Sequence, residues 1–158
     1  MTTTEDVLLP ATVAALREAA VLWPQIPQSP RAPTVLFGAY RPVAGVEIVA
    51  VTGLSNTSIT ARREETIAFD IATWTNVPGL DEAATWDRRV QLTEAVLSVL
   101  FGEHRKSIIP DVARDAGVSS WSVTARQTSL EPAPDAIAGA SGWLGFSLLT
   151  ITAVARPC

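Results

Sequence analysis

Few side chains in this chain are of the kinds that carry chemistry, and their spacing gathers none of them into a working set. The single histidine, His104, falls between Gly102 and the basic pair Arg105 and Lys106. At the end of a predicted helix its first role is to favour the negative pole of the helix dipole. With Asp111 and Asp115 it makes three oxygen or nitrogen donors in no recognisable metal-binding spacing. The single cysteine, Cys158, allows neither an intrachain disulfide nor a thiolate zinc cluster, and a reducing, intracellular setting is the expectation. Glu64 and Glu65 are adjacent on a predicted strand, so they point to opposite faces and do not converge on one bond as glycosidase carboxylates do. No glycine-rich phosphate loop, GxxxxGK(S/T) run or GxSxG elbow occurs. No catalytic, cofactor-binding or metal-ligating residue is therefore assigned, and the chain is not expected to be an enzyme.

What remains suited to recognition is charge and aromatic surface. The run Arg62, Arg63, Glu64, Glu65 reads either as a solvated strand start or as one side of an ion pair between subunits. Five tryptophans, Trp23, Trp74, Trp86, Trp121 and Trp143, are a high count for 158 residues. Each can serve the core, and buried aromatic anchors are also what assembled interfaces favour. Arg62, Arg63, Glu64, Glu65, Trp74 and Trp143 are accordingly the candidate subunit interface.

The elements that must position these groups follow from apolar periodicity. Val7, Leu8, Val13, Leu16 and Ala20 predict a helix at about residues 9–21 with Pro10 in its first turn, where a missing amide hydrogen is harmless. The four prolines of WPQIPQSPRAP end it in an extended connector. Residues 34–40 and 45–52 read as two strands of a hairpin, followed by a polar bend at 53–58. Residues 63–74 form the clearest strand, with Glu65, Ile67, Phe69 and Ile71 on the core side and Ala68, Ala72 and Trp74 on a mixed side. Asp81 is placed to cap a long helix reaching about Phe101, with Trp86, Val90, Thr93, Leu97 and Leu100 on its apolar stripe and Asp87, Arg88, Gln91 and Glu94 opposite. Further strands are expected at 106–111, at 121–128 with Trp121, Val123 and Ala125 on one face, and at 143–156. Between the last two, the alanine- and proline-rich segment 131–142 is predicted to be a flexible loop.

This order predicts one α+β domain over residues 1–158: a mainly antiparallel sheet packed against an N-terminal helix and a long central helix. Sixteen acidic and twelve basic side chains give a net charge of −4, and there is one lysine. Such a balance disfavours a phosphate-gripping nucleic-acid binder. The N-terminus lacks the basic start and apolar core of an export signal, and the 14-residue apolar stretch 142–155 is short for a membrane-spanning helix. No membrane partner is expected.

The run RREETIAFDIATWTNVPGLDEAATWDRRVQLTEAVLSVL resembles the central strand, loop and long helix of tail terminator (tail completion) proteins of long-tailed bacteriophages, particularly the small versions found in phages and prophages of actinobacteria. The residues carrying the resemblance are Arg63, Glu65, Ile67, Trp74, Gly79, Asp81, Ala84, Arg88, Leu92, Ala95 and Val96. The chain departs from the family after Gly102, where EHRKSIIP replaces a DPxLGG-like turn, and in segment 131–142. The resemblance implies a structural subunit of a homo-oligomer, a hexameric ring that caps the tail tube and joins it to the head. Its partners would be the tail tube protein and a head completion protein, with DNA passing through unheld. It would be made in the cytoplasm of a bacterial host and reside in the neck region of the virion. Read from the residues alone, another structural or protein-binding module remains the alternative, and a small enzyme is the least favoured class.

Overall fold

The structure is a computed structural model that describes residues 4–23, 32–38, 47–59, 64–101, 118–133 and 142–155. Its elements are α1 (Thr4–Ala20), β1 (Thr34–Phe37), β2 (Ile48–Ile59), β3 (Glu65–Thr75), α2 (Glu82–Phe101), β4 (Val118–Pro132) and β5 (Trp143–Ala155). The five strands form one mixed sheet in the order β1-β2-β3-β5-β4. Every pairing but β1 with β2 is antiparallel. The expected α+β class, with helices packed on the sheet, is what the chain adopts.

The core follows the alternation of β3. Ile67, Phe69 and Ile71 are fully buried and share one cluster with Leu92, Val96 and Leu100 of α2 and with Leu8, Val13 and Leu16 of α1. Both helices thus lie on one face of the sheet, α1 against β1 and α2 against β3 and β5. On the opposite face Trp74 packs edge-on against Phe146, their ring centroids 6.1 Å apart, and joins Ile48, Ala50 and Leu144 in a second, smaller cluster. In β5 the deeper face is the odd-numbered one, with Leu149, Ile151, Ala153 and Ala155 fully buried beneath the helices.

Several local expectations are corrected. α1 starts at Thr4, so Pro10 lies inside it, and the buried Leu8, Leu9, Val13 and Leu16 supply the packing that offsets a proline in a helix interior. β1 and β2 are parallel, with Thr34 opposite Ile48 and Phe37 opposite Val51, and do not form a hairpin. The polar stretch after Thr52 does not bend away: β2 runs on to Ile59 through register shifts between Thr52 and Leu54 and between Leu54 and Asn56. Gly53 and Ser55 mark bulges, which use the same residue types as turns. The segment 131–142 is narrower than a free loop, because β4 continues to Pro132 opposite Trp143 and the Ala133 amide donates to the Gly142 carbonyl. Residues 134–141 lie outside the described residues, as do the expected strand 106–111, His104, Asp111 and Asp115.

The turn from β3 to α2 fits its sequence. Pro78 and Gly79, the latter at φ 88°, take the middle positions of a type II turn in which the Leu80 amide donates to the Val77 carbonyl. Asp81 then caps α2, its Oδ1 accepting from the Ala84 amide at 2.8 Å.

Candidate assembly surface

The interior polar groups of α2 come first, because they decide which of its charges are available. The buried stripe consists of Thr85, Arg88, Arg89, Leu92, Thr93, Val96 and Leu100, rotated from the expected one. Trp86 is left 40% exposed, and Arg88, expected on the solvent side, is drawn inward by Glu47. The Arg88 Nε and Nη2 donate to the two carboxylate oxygens of Glu47 at 2.7 Å each, and Thr75 Oγ1 donates to Glu47 Oε2 at 3.0 Å. Arg88 Nη1 also donates to Gln91 Oε1. This network ties the start of β2, the end of β3 and the first half of α2 together. Its polar groups satisfy one another, which makes it structural.

Arg89, the next residue, has a different environment. Its side chain is 2% exposed, yet Nε and Nη1 have no hydrogen-bond partner. Its guanidinium carbon lies 4.0 Å from the centroid of the Trp86 ring, a cation–π contact that occupies one face of the guanidinium plane. The stem is held by a close approach of α2 to β5. A Cβ on Gly145 would stand 3.0 Å from Thr75 Cγ2 and 3.2 Å from Arg89 Cβ, so glycine is what lets the helix descend here. Burial, and then the charge of Arg126 on β4, push the Arg89 pKa below its ordinary value.

Arg126 reaches this side of the sheet through a bulge. Val123 pairs with Ile151 and Ala125 with Thr150, so one extra residue is absorbed between them. Beyond it Arg126 stands opposite Leu149, Thr128 opposite Ser147 and Leu130 opposite Gly145, all on the face that α2 covers. The expected alternation, with Ala125 on the face of Trp121 and Val123, breaks at this point. Trp121 is buried and its Nε1 donates to the Leu100 carbonyl at 3.1 Å, pinning the first part of β4 to the end of α2. From Ser122 to Ser129 every residue is exposed. β4 is therefore a 15-residue edge strand whose outer edge pairs with no strand among the described residues.

The predicted interface residues do not form one patch. Glu64 and Glu65 are half-buried at the start of β3, and Arg62 and Arg63 lie outside the described residues. Trp74 is 8% exposed, packed within its own chain at the other end of β3, nine residues and roughly 30 Å from Glu65. Trp143 is half-buried beside that end, and Asn76 Nδ2 donates to its carbonyl at 2.9 Å. The cation–π pair of Arg89 and Trp86, with a buried arginine on α2, is what sequence reading missed. The signal available was RR on a helix whose register admits both arginines to its buried side. Among the described residues no group of three or more His, Cys, Asp or Glu side chains could hold a metal ion, and no helix is long and apolar enough to cross a membrane. No protein-family model matches the chain, and no curated protein is significantly similar to it in sequence.

Proposed function

We propose that this protein is a subunit of a ring that caps a phage tail tube and joins it to the head, acting by contact and geometry and without turnover. The observation that carries this reading is β4: fifteen residues long, exposed without interruption from Ser122 to Ser129, and free along its outer edge among the described residues. An unpaired edge of that length is a template for another chain, and proteins that must stay single normally shorten or shield it. The opposite edge of the sheet, β1, has only four residues, so the two edges are unlike. A contact between unlike surfaces of identical subunits is head-to-tail and either closes into a ring or runs on as a filament. The resemblance over residues 62–100 to tail terminators supports closure. The net charge of −4 and the single lysine suit a channel through which DNA slides.

The test adds purified protein to tail tubes lacking a terminator and images them. Tubes capped by a ring and stopped at fixed length are the expected result. Tubes that stay uncapped and continue to lengthen would defeat the assignment, whatever the state of the fold.

A further inference from the structure

We propose that Arg17 is a guard on β1: it closes the outer edge of this strand to pairing with another chain, so that of the two sheet edges only β4 stays open to one. The inference goes beyond the reading above and does not depend on what the assembled particle is.

β1 is the first strand of the sheet, and the directions of its backbone groups follow from its ladder with β2. The Thr34 amide donates to the Glu47 carbonyl at 2.9 Å and the Gly38 amide to the Val51 carbonyl at 2.8 Å, so the even-numbered residues face β2. The backbone groups of the odd-numbered residues, Pro33, Val35 and Phe37, then point away from it. Pro33 has no amide hydrogen to offer, and Gly38, at φ 99°, turns the chain out of the strand. An incoming strand is left with the amide and carbonyl of Val35 and those of Phe37. Arg17, 18 residues earlier on α1, donates from Nε to the Val35 carbonyl at 3.2 Å. One of the four groups is thereby taken, and a planar cation stands where the backbone of a neighbour would have to lie.

A guard is needed here because the surface beside it is adhesive. Phe37 is 54% exposed, and with Pro10, Val13 and Ala14 it lines an open apolar depression whose remaining wall is Arg17. Next to an unpaired strand edge, such a patch favours capture of a further extended chain. Charge placed on an edge is one of the devices by which sheets avoid this. Two β1 edges meeting about a two-fold axis would also bring their Arg17 guanidiniums together, a like-charge contact that disfavours the pair. The sheet edges therefore differ in state as well as in length: four residues with a helix side chain bonded across them, against fifteen whose outer edge pairs with no strand among the described residues.

The experiment compares Arg17→Ala with wild type by sedimentation over a range of concentrations at one ionic strength. Arg17 is exposed and alanine is the strongest helix former, so the variant keeps α1. Freeing the carbonyl and removing the charge should strengthen self-association by about tenfold or more relative to wild type. Deuterium exchange locates the contact: the Val35 and Phe37 amides should exchange quickly in dilute Arg17→Ala and slow as it associates. Arg17→Lys, which keeps a cation and a donor, should behave as wild type does. Combining Arg17→Ala with Phe37→Pro should also restore wild-type behaviour, since proline removes an outward amide and leaves the ladder with β2 intact. Arg17→Ala no more associated than wild type would overturn the guard. Association in which the Val35 and Phe37 amides keep exchanging freely would overturn it as well. Because wild type is the reference throughout, a ring that forms through β4 or fails to form leaves this result readable, and the tube-capping test alone decides the ring.

Discussion

Replacing Arg88 by methionine tests whether α2 is locked to the sheet by the ion pair with Glu47. The two side chains are 2% and 1% exposed and meet at 2.7 Å. Methionine preserves much of the length of the stem and removes the charge, so the main effect is on Glu47, whose carboxylate keeps only the 3.0 Å bond from Thr75 among the contacts described here. Leaving one member of such a pair buried and unopposed costs about 3–5 kcal/mol. For a protein of this size that corresponds to a fall in Tm on the order of 10 °C. Urea titration of the wild type, Arg88→Met, Glu47→Leu and the double variant gives the coupling directly. Removing both partners should return stability to within about 1 kcal/mol of wild type, because the attraction between buried charges is largely cancelled by their desolvation. A loss below about 1 kcal/mol in Arg88→Met alone would show that water reaches Glu47, and would refute the buried network as the tie between β2, β3 and α2.

Two further outcomes concern packing. Phe69→Ala, at a fully buried position beneath both helices, should cost about 3–5 kcal/mol by denaturant titration, and a loss below about 1 kcal/mol would place Phe69 outside the core. Gly145→Ala should destabilise by about 1–3 kcal/mol, since the added methyl meets Thr75 and Arg89 at 3.0 and 3.2 Å, and an unchanged unfolding midpoint would show that α2 does not sit this close to β5.

The most legible parts of the sequence were those where one physical rule acts alone. Alternation along Ile67, Phe69 and Ile71 marked the core face of β3, and Asp81 marked the start of α2. The rest was hidden where tertiary partners overrule local pattern. Arg88 reads as surface on any helical wheel, and only Glu47, 41 residues away, makes it interior. Gly53 looks like a turn until the β3 ladder shows it absorbed as a bulge. The parallel pairing of β1 and β2 depends on how the chain returns between them, which strand propensity does not encode. For the site, aromatic content and a charge run pointed to Trp74 and the RREE segment. The buried arginine with two unbonded donors, Arg89, needed the observed register of α2 before it stood apart from Arg88.

The bulge after Val123 has an evolutionary consequence. Removing one residue from a strand ordinarily turns everything beyond it onto the wrong face. Here Thr124 is the residue in excess of the ladder, held at its place by Thr152 Oγ1 at 2.8 Å. A lineage that lost Thr124 would keep Arg126, Thr128 and Leu130 opposite their present partners and give up only the local kink. One that lost a paired residue farther from it, such as Ser122 or Gln127, would have to move the bulge or sacrifice the face. With Ser119, which a second register shift leaves in the same situation, Thr124 is a position where chain length can drift without disturbing what the strand presents, and descendants of this chain are expected to show their gaps at these two places first.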